Sequence, residues 1–158
     1  MERGRAIVGL VAVGRGRFLW SQTDRPFVLV SDTGGLVGIM TSEGRALSRA
    51  KGDGFVAQVW LENDGVLSDQ ATSSVRWQEM SQFPVRHVRG KQNVADLKCF
   101  KGEIVVTDRE PTMDLSCRLL SPKVFRTTGS VSIDRKGQIT TARDLSGARR
   151  WHPWYTDQ

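Results

Sequence analysis

The chain has 158 residues, of which 39% are hydrophobic and 25% charged. That is the profile of one folded domain and excludes a disordered or low-complexity chain. The net charge of +6, from 23 Lys and Arg against 17 Asp and Glu, favours anionic partners. Two cysteines are too few for a disulfide scaffold. They either pair in an oxidising compartment or remain reduced thiols. Two Cys with the distant His87 and His152 make no metal-ligand cluster, because a structural zinc site needs four ligands.

Residues 1–22 form an N-terminal arm or the remnant of a membrane helix. The run from Ala6 to Gly14 is apolar, but Arg15 and Arg17 interrupt it before Phe18-Leu19-Trp20. A spanning helix needs about 20 apolar residues, so this stretch is too short to cross a bilayer. A basic start with a short apolar run has the look of a signal peptide, yet no A-x-A cleavage site follows.

Residues 23–158 read as a single α+β domain. Phe27–Ser31 is a strand by its β-branched content. Asp32-Thr33-Gly34-Gly35 is a tight turn and Leu36–Thr41 the returning strand. Ser42–Arg45 is a second turn and Ala46–Ser48 a third short strand, which completes a β-meander. Phe55, Val56, Val59 and Trp60 recur as one face of a helix. Asp53 is placed to cap it and Gly65 to end it. Residues 66–82 are polar, with Trp77 as their one large anchor, and predict a loop with about one helical turn.

Phe83–Val88 suits an edge strand, since Pro84 donates no ladder hydrogen bond. His87 is expected at the surface of that strand. Asn93–Phe100 is a short helix, and Glu103–Thr107 is the clearest buried strand in the chain. The polar loop Asp108-Arg109-Glu110-Pro111 follows it, where ligands gather in open α/β sheets. Leu115–Leu120 is the next strand, carrying Cys117, and Pro122 opens a helical turn over 123–127. Gly129–Ile133 and Gln138–Ala142 form a hairpin around Asp134–Gly137.

No G-x-S-x-G, phosphate-binding loop or dinucleotide fingerprint is present. Arg149, Arg150, Trp151 and Trp154 make a cationic, aromatic tail of the kind that binds single strands by phosphate contact and base stacking. Arg86, Arg89 and Lys91 extend that patch. Trp151 and Trp154 could equally pack the tail onto the body.

Several stretches taken in order carry a family resemblance. They are DTGGLVGIMTSEGRALSRAKGDGFVAQVWLENDG, ADLKCFKGEIVVTDREP, VFRTTGSVSIDRKGQITTARD and RRWHPW. Together they resemble the C-terminal, periplasm-facing region of ComEC competence proteins, the DNA-uptake channels of bacteria, in their alphaproteobacterial form. The resemblance covers nearly the whole chain from about residue 20 onward.

It implies a trimmed metallo-β-lactamase-like αββα sandwich. That family holds metal through a His-x-His-x-Asp-His run and further histidines at strand ends. Here no His precedes His87, and Asp108 and Glu110 stand where the distal histidines are expected. These two carboxylates are the only candidate metal ligands, suited to Mg²⁺, and the expectation is that they are solvated beside Arg109 with no catalytic metal and no cofactor.

The resemblance further implies a non-catalytic domain at the periplasmic face of the inner membrane. Its partners would be incoming DNA and a membrane-embedded channel domain. An oxidising space allows a Cys99–Cys117 bond. The alternatives are a metal-dependent phosphodiesterase using Asp108 and Glu110, and a purely structural protein-interaction domain.

Overall fold

The computed structural model describes residues 25–78, 85–113 and 115–147. The arm 1–22, Pro84 and the tail bearing Arg149, Arg150, Trp151 and Trp154 lie outside them. Among the described residues there are five helices and two sheets, so the expected α+β class holds.

The meander forms as its alternation dictates. Strands β1 (Val28–Val30), β2 (Val37–Thr41) and β3 (Gly44–Leu47) pair antiparallel. The hairpin β7 (Val131–Ile133) and β8 (Ile139–Thr141) joins them when β7 pairs with β1, in the order β3-β2-β1-β7-β8. A second sheet is parallel, in the order β4 (Val85–Val88), β5 (Ile104–Thr107), β6 (Arg118–Leu120). The expected edge position of β4 is observed. The strand expected from Leu115 begins only at Arg118, so Cys117 sits just before it.

One core joins the sheets. Side chains on a strand alternate faces, so Val28, Val30, Val37, Ile39, Val131 and Ile133 share one face of the antiparallel sheet. They meet Val85, Val106 and Leu120 of the parallel sheet, with Phe125 closing the cluster. Phe125 comes from helix α4 (Pro122–Thr128), which opens with Pro122 as expected.

Helix α1 (Gly54–Asn63) builds a second cluster, placing Ala57 and Leu61 on Leu36 and Leu47. The expected apolar face is rotated. Val56 and Trp60 are only partly buried, and Phe55 is 80% exposed. Asp53 precedes the helix but makes no side-chain cap; its carboxylate instead takes Arg49 Nη1 at 3.1 Å.

Residues expected as a loop after Gly65 include a full helix, α2 (Gln70–Gln78). Asp69 starts it by accepting the Thr72 amide at 2.8 Å. The expectation failed because the helix has almost no apolar period; it holds through Ser73, fully buried, and Trp77, which packs against the main core. The short helix after β4 is α3 (Lys91–Ala95), shorter and earlier than 93–100. A last turn, α5 (Ala142–Ser146), carries a capping box between Thr141 and Asp144.

Arg45 was placed in a turn by the sequence. It lies on β3 instead, fully buried, with its guanidinium on the Asp64 carboxylate at the end of α1. Its stem runs over Gly38, where an added Cβ would meet Arg45 Cδ at 2.7 Å and Trp60 at 3.1 Å. Gly38 therefore makes room for the ion pair that fastens α1 to the antiparallel sheet.

Candidate functional site at the carboxyl ends of the parallel strands

Parallel strands send all their carboxyl ends to one side, and loops there collect functional groups. The loop after β4 brings Arg89, Gly90 and Lys91 to that side; the loop after β5 brings Asp108 to Thr112. Between them lies a cavity of about 370 Å³ lined by Lys91, Val94, Ala95, Arg109, Glu110, Pro111 and Thr112.

Both carboxylates have structural partners, while Glu110 remains exposed to solvent and Asp108 is half-buried. Asp108 accepts the Gly90 amide at 3.0 Å and so ties the two loops together. Glu110 accepts the Ser121 hydroxyl at 3.0 Å and the Lys123 amide at 3.1 Å. It thereby serves one of the open amides at the start of α4, where Ser121 provides no side-chain cap. Among the described residues no group of three or more His, Cys, Asp or Glu stands together to hold a metal ion. Asp108 Oδ1 and both Glu110 oxygens are instead engaged by protein donors.

The cations divide into two kinds. Arg86, a predicted DNA contact, is neutralised: its Nε lies 2.7 Å from Glu103, and the same side chain reaches the Lys98 carbonyl. Arg89, Lys91 and Arg109 form no salt bridge among the described residues. Arg109 was not singled out as a binder by the sequence, where it served only as counter-charge to its neighbours. The tail arginines and tryptophans lie outside the described residues.

His87 departs from its expected surface position. It is two residues from Val85, so it shares the face that meets the antiparallel sheet. Its Nε2 lies 2.9 Å from the Gly34 carbonyl, which only accepts, so Nε2 carries the proton. Nδ1 then accepts from the Ser48 hydroxyl at 2.7 Å. Burial pushes the imidazole down to about 4, with Arg89 and Arg49 adding to the effect and the Gly34 carbonyl and Asp108 opposing it. At neutral pH the ring is an uncharged strut between the sheets. The signal was present in the two-residue spacing from Val85.

Thr107 ends β5 fully buried, and its hydroxyl has no hydrogen-bond partner. The carbonyl of the same residue faces Gly34, where an added Cβ would come within 2.2 Å of it. The turn at Gly34 therefore abuts the end of the central parallel strand.

Cys99 and Cys117 form a disulfide, with Cα atoms 5.7 Å apart. They lie just before β5 and β6, at the end of the sheet opposite the cavity. Among the described residues the β5–β6 crossover contains no helix. It is tethered instead by this bond, by Asp108 and by Glu110.

No family model, curated protein or solved structure matches this chain. No helix among the described residues is long and apolar enough to cross a membrane.

Proposed function

We propose that this chain is a non-catalytic domain similar to the C-terminal region of ComEC DNA-uptake proteins. In that reading it works at the periplasmic face of the inner membrane, beside a channel domain, and contacts incoming DNA through phosphates. The observation that carries the proposal is the division of labour at the strand ends. Asp108 and Glu110 are committed to backbone amides, while Lys91 and Arg109 face one cavity without a carboxylate in salt-bridge contact. Hydrolysis of the ancestral kind needs a caged metal ion; phosphate contact needs only unpaired cations.

Two further features support it. The Cys99–Cys117 bond suits an oxidising space. The shared core between two sheets, with α1 packed beyond one of them, suits a reduced form of the αββα sandwich.

The test is binding of a labelled 30-nucleotide single strand to the whole chain at several salt concentrations. Affinity is expected to fall steeply with salt. Reversing both cations, Lys91→Glu with Arg109→Glu, is expected to cost about tenfold or more and to flatten the salt slope by about 1.4. The control pair Lys101→Glu with Lys136→Glu changes net charge equally and is expected to cost much less. Equal losses in both pairs, or no binding at low salt, would leave a structural interaction domain. Mg²⁺-dependent cleavage abolished by Asp108→Ala would replace the proposal with a phosphodiesterase.

A further inference from the structure

A second groove lies along the flank of α1, with the packed residue Leu61 at its floor. It has a volume of about 470 Å³ and runs between α1 and the segment leading into α2. Leu61, Val66 and Leu67 supply its apolar surface; Glu62 and Asp69 supply its charge. No Lys or Arg lines it, and neither carboxylate forms a salt bridge among the described residues. On a chain of net charge +6, this is a local reversal of sign.

Both carboxylates are held by hydrogen bonds. Asp69 is kept below its ordinary value by hydrogen bonds from Thr72, first from the backbone amide. Glu62 accepts the Gln58 amide at 2.7 Å through one oxygen.

Leu61 and Val66 form the floor of the groove, where they also pack into the second cluster, whereas Leu67 at its rim and Phe55 beyond it are not used by the fold. Leu67 is fully exposed and Phe55 is 80% exposed. Phe55 precedes Gln58 by three residues and Glu62 by seven, which puts all three on one stripe of α1. Exposed apolar residues beside a concave surface mark an interaction site more often than isolated ones do.

We infer that this groove docks a basic segment of a partner polypeptide, with one or two bulky apolar side chains seated against Leu61, Val66 and Leu67 and flanking Lys or Arg on Glu62 and Asp69. The volume takes side chains rather than a whole helix. The charge repels an anionic membrane or a nucleic acid strand and attracts a cationic peptide. None of the groove's lining residues lines the cavity at the parallel strand ends, so the inference stands apart from the DNA reading.

The experiment is selection from a random library of displayed twelve-residue peptides on the immobilised whole chain. Enriched sequences are expected to combine Arg or Lys with Trp, Phe or Leu. The most enriched peptide, made synthetically, is expected to lose about tenfold in affinity on Glu62→Lys and on Leu67→Ser. Both positions are exposed, so the fold tolerates the changes. No enrichment, enrichment of acidic or uncharged sequences, or unchanged affinity in both variants would overturn the inference. Self-association of the wild-type chain that Leu67→Ser abolishes would overturn it too, because the occupant would then be a second copy.

Discussion

The His87 imidazole stands 2.7 Å from the Ser48 hydroxyl, so one hydrogen bond links an edge strand of the parallel sheet to the end of the meander. Its other nitrogen reaches Gly34 at 2.9 Å. The ring therefore spans the two sheets only while Nδ1 can accept.

This predicts a specific acid sensitivity. Folded His87 titrates at about 4, against an ordinary 6.5. Above pH 6.5 the ring is neutral in both states and contributes no pH dependence. As pH falls from 6.5 towards 4, the unfolded chain takes up a proton that the folded chain refuses. Stability is lost across that window, by an amount on the order of 3 kcal/mol. Urea unfolding of wild type and His87→Gln at pH 7, 5.5 and 4.5 checks this. The difference between them is expected to shrink as pH falls, whereas a constant difference would refute the buried neutral ring.

Gly34 is predicted to tolerate no side chain. Its φ of +67° is unfavourable for other residues, and an added Cβ would press on the Thr107 carbonyl at 2.2 Å and the Phe125 ring at 2.8 Å. Gly34→Ala is expected to destabilise by about 2–4 kcal/mol. Gly137 also has positive φ, at +80°, but meets nothing within 4 Å. Gly137→Ala is expected to cost clearly less, and the two melting curves test the contrast.

The Arg45–Asp64 pair predicts an asymmetric response. Both side chains are almost wholly buried, at 1% and 6% exposure. Asp64→Ala strands a guanidinium in the interior and is expected to cost about 3–5 kcal/mol. Arg45→Met with Asp64→Leu removes both charges and is expected to recover much of that loss. Denaturant midpoints of the single and double variants decide the matter.

The disulfide is predicted to support the helix-free crossover. Replacing Cys99 and Cys117 with Ser is expected to destabilise by about 3 kcal/mol in the chain-entropy account. Amide exchange should rise first between residues 108 and 117, because Asp108 and Glu110 are then the remaining side-chain tethers among its described residues.

Strong local patterns were legible in the sequence. The meander, β5, the Pro122 helix and the final hairpin all follow from alternation, turn glycines or a proline at the first helical position. What could not be read were features set by partners distant in the chain. Helix α2 depends on burial of Ser73 and Trp77, not on an apolar stripe. Arg45 reads as a turn residue until Asp64, nineteen positions on, is seen to meet it. His87 reads as exposed until Ser48 and Gly34 close over it. At the candidate site the sequence found Lys91, Arg89 and both carboxylates. Nothing local announces that Glu103 lies opposite Arg86.

Strand β1 has β2 on one side and β7 on the other, with Val28 aligned to Ile133. During synthesis the first neighbour emerges almost at once and the second only near the end. Until then the bare flank of Val28–Val30 is a template for pairing with other chains. A chain cut before Ser130 would keep that flank open permanently. Truncations from the carboxyl side should therefore precipitate well before they lose the residues around the cavity.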